Sequence, residues 1–197
     1  MTRTGNSTVS SRKEDGGAGV PGPTAVEPPR TSTVAATPSM RGESAVWRPR
    51  VTVACVIERD GCYLLVEEDI HGQQLVNQPA GHLEPGESLI DAAVRETREE
   101  TGWRVRPTGL IGVYQWVSPN SREQYVRFAF TAIAVAHDPA QALDAGILRA
   151  LWLKPEEIDG VRHRPRSPMV LRNIEDAQRR AALPLDTLHA YPLANSV

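Results

Sequence analysis

Between Met1 and Val46 the chain has no Leu, Ile, Phe, Tyr or Trp, and Gly, Pro, Ser and Thr fill 25 of its first 49 positions. Ordering a backbone costs roughly 1–2 kcal/mol per residue, and such a stretch has almost no apolar surface to bury in return. Residues 1–47 are therefore expected to be a disordered tail. Any fold must come from the rest of the chain: one domain over residues 48–192 and a short C-terminal end at 193–197. That length holds a single core of ordinary size. The tail mixes Arg3, Arg12, Lys13, Arg30, Arg41 and Arg48 with Glu14, Asp15, Glu27 and Glu43, so it is not the acid-poor pattern of an organelle presequence.

Charge and cysteine content narrow the function classes. Against 22 basic side chains stand 24 acidic ones, a net charge of -2. Bulk attraction to a nucleic-acid polymer or an anionic membrane is not expected from such a balance. Cys55 and Cys62 form no CxxC pair, which argues against a disulfide scaffold or a cysteine-rich zinc site. No apolar run approaches the ~20 residues that span a bilayer, and no secretory signal opens the chain. A cytoplasmic protein is the expectation, and nothing in the pattern fixes an oligomeric state.

From Arg50 the pattern becomes that of an α/β domain. Val51, Val53, Cys55 and Ile57 alternate with Thr52, Ala54 and Val56 as a mostly buried strand. Asp60-Gly61 signals a hairpin, with Cys62 to Val66 returning as the second strand. A polar loop is expected to lead to Pro79 and Gly81. Ser88-Leu89-Ile90-Asp91 resembles a capping box, so a helix should run from about Leu89 to Thr101 and stop at Gly102. Val105–Val117, Tyr125–Val135 and Leu148–Leu153 read as strands. Pro168 to Ala182 reads as an amphipathic helix with Met169, Leu171, Ile174 and Ala177 or Ala181 inward.

The segment Gly81 to Trp103, GHLEPGESLIDAAVRETREETGW, carries the chemistry. Glu96, Glu99 and Glu100 stand at i, i+3 and i+4 and share one helix face, with Cβ atoms roughly 5–6 Å apart. One such pair repels by ~3 kcal/mol at an effective dielectric of ~20. Glu99 and Glu100 also occupy the last turn, where the helix dipole disfavours acids. Arg95 and Arg98 could relieve a merely solvated acidic surface. Alternatively, clustered carboxylates suit Mg²⁺ or Mn²⁺, hard cations that bridge to substrate phosphates. No HExxH pair or GxxxxGK[ST] loop offers a competing chemistry.

This segment resembles the signature of the Nudix hydrolases, Gly-x5-Glu-x7-Arg-Glu-U-x-Glu-Glu-x-Gly-U, where U is a bulky aliphatic residue. Gly81, Glu87, Arg95, Glu96, Glu99, Glu100 and Gly102 fall at its fixed positions. At residue frequencies near ~6%, seven such matches arise by chance on the order of once in a million windows or fewer. Thr97 and Trp103 depart at the two U positions, where each can still pack against a sheet. Beyond the box, His82, Asn77-Gln78-Pro79-Ala80, the opening VTVACVI, the QWVSP of Gln115 to Pro119 and the Arg127-Phe128 strand are similar to the phosphatase-type subgroup called NudJ.

The resemblance implies a Nudix-type α/β/α sandwich with a mixed central sheet. It implies a Mg²⁺ requirement, with Mn²⁺ as an alternative, and a small phosphorylated molecule as substrate. The implied reaction is hydrolysis of a phosphoanhydride bond in nucleoside tri- or diphosphates or thiamin-type pyrophosphate esters. An ADP-ribose or sugar-nucleotide pyrophosphohydrolase, or a non-catalytic ligand-sensing module on the same fold, is the alternative. By the same resemblance Glu96, Glu99, Glu100 and the Gly81 carbonyl are the metal ligands. Glu96, Glu100 and Arg95 form the catalytic group, with Glu96 favoured as proton acceptor and Arg95 orienting the glutamates. Gln78, His82, Gln115 and Arg127 are the candidate substrate contacts, and Glu87, Gly86 and Gly102 are supporting residues. A further acid outside the box is sought among Glu123, Asp144, Glu156 and Glu157.

Overall fold

The structure is a computed structural model and describes residues 46–191. The expected tail at 1–47, apart from its last two residues, and the end at 193–197 lie outside the described residues. Strand β1 spans Arg50–Arg59 and β2 spans Cys62–Ile70. The turn between them holds Asp60 and Gly61 at φ 53° and 76°, the paired left-handed angles whose twist suits a two-residue hairpin.

Where the sequence suggests a polar loop, the chain turns again at His71-Gly72 and adds β3 (Gln73–Asn77) and β4 (Ala80–His82). The first half of β3 lies at an exposed edge as Gln73-Gln74, and β4 has only three residues. Neither displays the apolar alternation by which a strand is read. Helix α1 (Leu89–Thr101) follows the expected bounds. The Ser88 hydroxyl oxygen accepts from the Asp91 N–H at 3.1 Å, and Gly102 at φ 70° donates its N–H to the Arg98 carbonyl. Asp91 does not reach back to the backbone; its carboxylate accepts from the Ser88 hydroxyl at 2.7 Å.

Next come β5 (Trp103–Val117), β6 (Gln124–His137), β7 (Ile147–Leu153), α2 (Pro155–Val161) and α3 (Met169–Arg179). The seven-residue α2 is an addition to the elements expected from sequence. Its markers are the Pro at its first position and Glu157, whose carboxylate accepts from the Lys154 N–H at 2.8 Å. Helix α3 ends three residues short of the expected Ala182 because the chain leaves it to pair with the sheet: Leu183 and Leu110 exchange both backbone hydrogen bonds at 2.8 Å. Ala177, not Ala181, is the residue turned inward.

Among the described residues, seven strands form one mixed sheet in the order β3-β2-β1-β6-β5, with β4 beside β1 and β7 beside β2; β1 and β6 run parallel. Strand alternation divides the core. Val53, Cys55 and Ile57 pack with Ala92 and Ala93 of α1, while Val56, Tyr63 and Leu65 pack with Ile158 of α2 and Ile174 of α3. Helices therefore cover both faces, giving the α/β/α sandwich. Thr97 and Trp103 serve this packing. Thr97 is fully buried and donates to the Ala93 carbonyl, and Trp103 meets the Trp152 ring edge-on at 5.6 Å.

Buried Glu67 ties β2 to its surroundings by accepting from Arg149 of β7 and Arg164 of the loop before α3, at 2.7 and 2.5 Å. The two arginines hold its carboxyl below the ordinary value of 4.5. A carboxylate of lowered folded pKa stabilises the fold above its unfolded pKa and loses that contribution as pH falls through the folded value. Glu67→Gln is expected to lower the melting temperature by roughly 2–8 °C at pH 7 and by less near pH 3. Thermal scans across pH check this, and an equal loss at both pH values would remove the ion pair as its cause.

Candidate active site

Three backbone facts place the acidic helix end. Strand β4 pairs with β1 so that Gly81 opposes Val53. Helix α1 crosses close behind β4, and a Cβ built on Gly81 would lie 2.0 Å from the Glu96 carboxyl carbon. Glycine is needed here for the approach of a side chain rather than for an unusual φ. The loop before β7 completes the arrangement: the Asp144 N–H donates to the Glu99 carbonyl at 3.0 Å.

Carboxylate oxygens of Glu96, Glu99 and Asp144 consequently lie within 4.8 Å of one another. Asp144 is thus the acid outside the box that joins the cluster. Of the other three candidates, Glu123 pairs with Arg50, Glu157 caps α2 and Glu156 lies in the same first turn. Glu96 is 8% exposed, and burial together with Glu99 and Asp144 raises its carboxyl pKa despite the opposing pull of Arg95. Three hard oxygen donors in that space suit a small divalent cation, which would relieve their mutual repulsion.

The structure does not bring Glu100 into that cluster. Its Oε2 accepts from the Ala80 N–H at 2.8 Å, and its carboxyl lines a neighbouring cleft. Burial, reinforced by Glu68, Glu96 and Asp144, pushes this carboxyl up to about 9 against the pull of the Ala80 hydrogen bond. Gly81 lines the same cleft.

Arg95 occupies the hub of the acids. Its Nε and one terminal nitrogen hold Glu87 at 3.0 and 2.7 Å, and its other terminal nitrogen donates at 2.9 Å to both Glu96 and Glu99. It also donates to the His82 carbonyl at 3.0 Å. Charge-assisted pairs of this kind fix orientation as well as adding strength. Glu87 in turn accepts from the Glu84 N–H at 2.7 Å, and Gly86 at φ 89° supports the same loop. Gly102 closes the helix, and a Cβ there would meet the Asp138 carbonyl oxygen at 2.7 Å.

The cleft beside Glu100 has a volume of about 200 Å³. In register across the sheet, His82 of β4, Thr52 of β1 and Arg127 of β6 stand side by side, and all three line it. Arg127 is 6% exposed, and desolvation lowers its pKa to about 10 against the pull of Glu68 and Glu100. Burial, with help from nearby Arg50, lowers the His82 pKa. Trp116 and Tyr125, paired across β5 and β6 with rings 5.5 Å apart, form one wall.

Two expected substrate contacts are not brought to the cleft. Gln78 is fully buried and donates its amide to the Val170 carbonyl at the start of α3. Gln115 neighbours Trp116 on β5, and strand alternation turns it to the exposed opposite face. Glu68 and Arg166 do line the cleft, although no local sequence pattern points to either.

Comparisons with known proteins agree with this geometry. The NUDIX domain family model matches residues 47–173. Phosphatase NudJ of Escherichia coli strain K12 is 40% identical over 143 residues, covering 73% of this chain and 92% of the relative. A NUDIX hydrolase structure from Nitrosomonas europaea superposes with a TM-score of 0.73 at 46% identity, covering 75% of this chain and all of that one. The NUDIX domain of Shewanella oneidensis NrtR, solved with ADP ribose, shares the fold at 21% identity and a TM-score of 0.55, over 71% of this chain and 92% of that one. With the family model matched over residues 47–173 and the signature acids Glu87, Glu96 and Glu99 held by Arg95, this chain belongs to the Nudix hydrolase family.

Proposed function

We propose that the chain hydrolyses a phosphoanhydride bond of a small molecule, either a nucleoside tri- or diphosphate or a pyrophosphate ester, and does so with Mg²⁺ or Mn²⁺. The reading rests on one observation above the others: the Glu96, Glu99 and Asp144 carboxylates converge beside a cleft that the buried cation Arg127 lines. A divalent ion held by those three would neutralise phosphate oxygens and lower the pKa of a water. Glu100 is the better proton acceptor, because Glu96 is committed to Arg95 and to the acidic cluster. In the absence of an ion, burial keeps this carboxyl protonated near neutral pH; a divalent ion held by the neighbouring acids would lower its pKa and leave it free to take the water's proton. Arg95 keeps Glu96 and Glu99 in place and contacts no space in the cleft itself. Arg127 and His82 face the phosphate chain.

A ligand-sensing module is the weaker reading, since binding alone gives no reason to retain crowded, partly buried acids at a helix C-terminal end. Among the described residues no helix is long and apolar enough to cross a membrane. The name phosphatase carried by the E. coli relative supports stepwise release of orthophosphate. A nucleoside triphosphate incubated with Mg²⁺ should then pass through its diphosphate, visible by chromatography at early times. Direct appearance of monophosphate and pyrophosphate would reject stepwise release while leaving hydrolysis intact.

All groups invoked here lie between Thr52 and Ser167. Removing residues 1–44 is expected to leave turnover and melting temperature nearly unchanged. A substantial loss of either, measured on the shortened chain, would give the N-terminal segment a part in the site or the fold.

A further inference from the structure

Part of the cleft is built around a carboxylate that the hydrolytic reading leaves unused. Glu68 of β2 is 7% exposed. One of its oxygens accepts from the Asn77 amide at 2.8 Å, and the other pairs with Arg166 Nε at 3.3 Å. Asn77 in turn presents its carbonyl to Arg127 at 3.5 Å. The chain Arg166–Glu68–Asn77–Arg127 thus sets two guanidinium groups at one place around a single carboxylate. Arg127 is poorly satisfied there: its Nε has no acceptor, and neither do the buried hydroxyls of Thr52 and Ser167, which line the same cleft. The donors outnumber the acceptors, and the local charge carried by these groups is one positive in excess. Arg166 and Ser167 are delivered by the loop before α3, which attaches to β3 through backbone hydrogen bonds between Val76 and both Arg164 and Arg166.

We propose that this part of the cleft is a preassembled anion subsite, in which Arg127 and Arg166 receive a phosphate or comparably charged group of the substrate and Glu68 positions them. The inference rests on the hydrolase reading for the identity of the ligand, but not on catalysis. Glu68 touches neither the acidic cluster nor, in this role, the substrate; it fixes the spacing of the two cations. A carboxylate that merely occupied the cleft wall would repel an anion. A positioning carboxylate has the opposite signature, because its loss lets both arginines relax away from the arrangement that a phosphate needs.

Inorganic phosphate titrated calorimetrically into the metal-stripped protein at low ionic strength tests this without turnover. Saturable binding is expected in the unaltered protein and roughly tenfold weaker binding in Arg166→Gln, with part restored in Arg166→Lys. Glu68→Gln is expected to bind phosphate more weakly although it removes a negative charge. Absence of saturable binding, or an unchanged affinity in Arg166→Gln, overturns the subsite; equal or tighter binding by a folded Glu68→Gln overturns the positioning role. Should Glu68→Gln fail to fold, its Asp variant replaces it under the same criteria. In steady-state hydrolysis Arg166→Gln should raise KM with little change in kcat. Binding without any hydrolysis by the unaltered protein would reject the enzymatic reading and leave the subsite standing, and hydrolysis without binding would do the reverse.

Discussion

Glu100→Gln is expected to lower turnover by about a hundredfold or more and, in metal-free solution near pH 8, to raise the melting temperature by several degrees. Both effects come from the same burial. The carboxyl moves from an ordinary value of 4.5 to about 9 on folding. A group whose folded pKa is raised contributes its stability below the unfolded pKa and loses it as pH rises through the folded one. Between about 4.5 and 9 the unaltered protein is therefore progressively weakened relative to the glutamine variant, which keeps an oxygen for the Ala80 N–H. Kinetics and thermal scans at pH 5 and pH 8 check the pair of effects. The stability difference should be small at pH 5 and large at pH 8; it grows with pH as at Glu67 but has the opposite sign, because here the substitution stabilises. A variant as active as the parent would remove Glu100 from the reaction.

Gly81→Ala is expected to cost about a hundredfold in turnover while shifting the melting temperature little. The added Cβ would sit 2.0–2.2 Å from the three carboxyl atoms of Glu96. What must move is the far end of a flexible side chain, not backbone, so the fold gives way cheaply. The site does not, because Glu96 can no longer share its place with Glu99 and Asp144. Retention of full activity would show that the position of Glu96 is not critical. Loss of folding would show that the strand, rather than the side chain, was displaced. Circular dichroism beside the kinetic assay separates these outcomes.

The parts of this molecule that are legible in the sequence are those where local chemistry and tertiary demand coincide. Helix α1 can be delimited because Ser88 caps it through its hydroxyl oxygen and Gly102 ends it through its backbone N–H in a left-handed conformation. Strand β1 is visible because it is buried on both faces. Strand β3 is invisible for the opposite reason: its first residues lie at an exposed edge, and pairing with β2 rather than composition makes it a strand. The same divide runs through the site. Glu96, Glu99 and Arg95 can be grouped from helical spacing alone. Asp144 lies in a loop far along the chain and enters only through its hydrogen bond to the Glu99 carbonyl. Gln115 and Trp116 are adjacent in sequence, and only the register of β5 on β6 decides which faces the cleft. Gln78 is drawn away by the Val170 carbonyl, a contact that no local pattern announces.

Mn²⁺ titrated into the metal-stripped protein, followed by the loss of free-ion electron paramagnetic resonance signal, tests most directly whether Glu96, Glu99 and Asp144 together hold the divalent ion on which hydrolysis depends. The expected result is saturable binding to the unaltered protein, with affinity at least about tenfold lower in Asp144→Asn, an exposed loop substitution that leaves the fold intact. Equal Mn²⁺ affinity in the two proteins would contradict it.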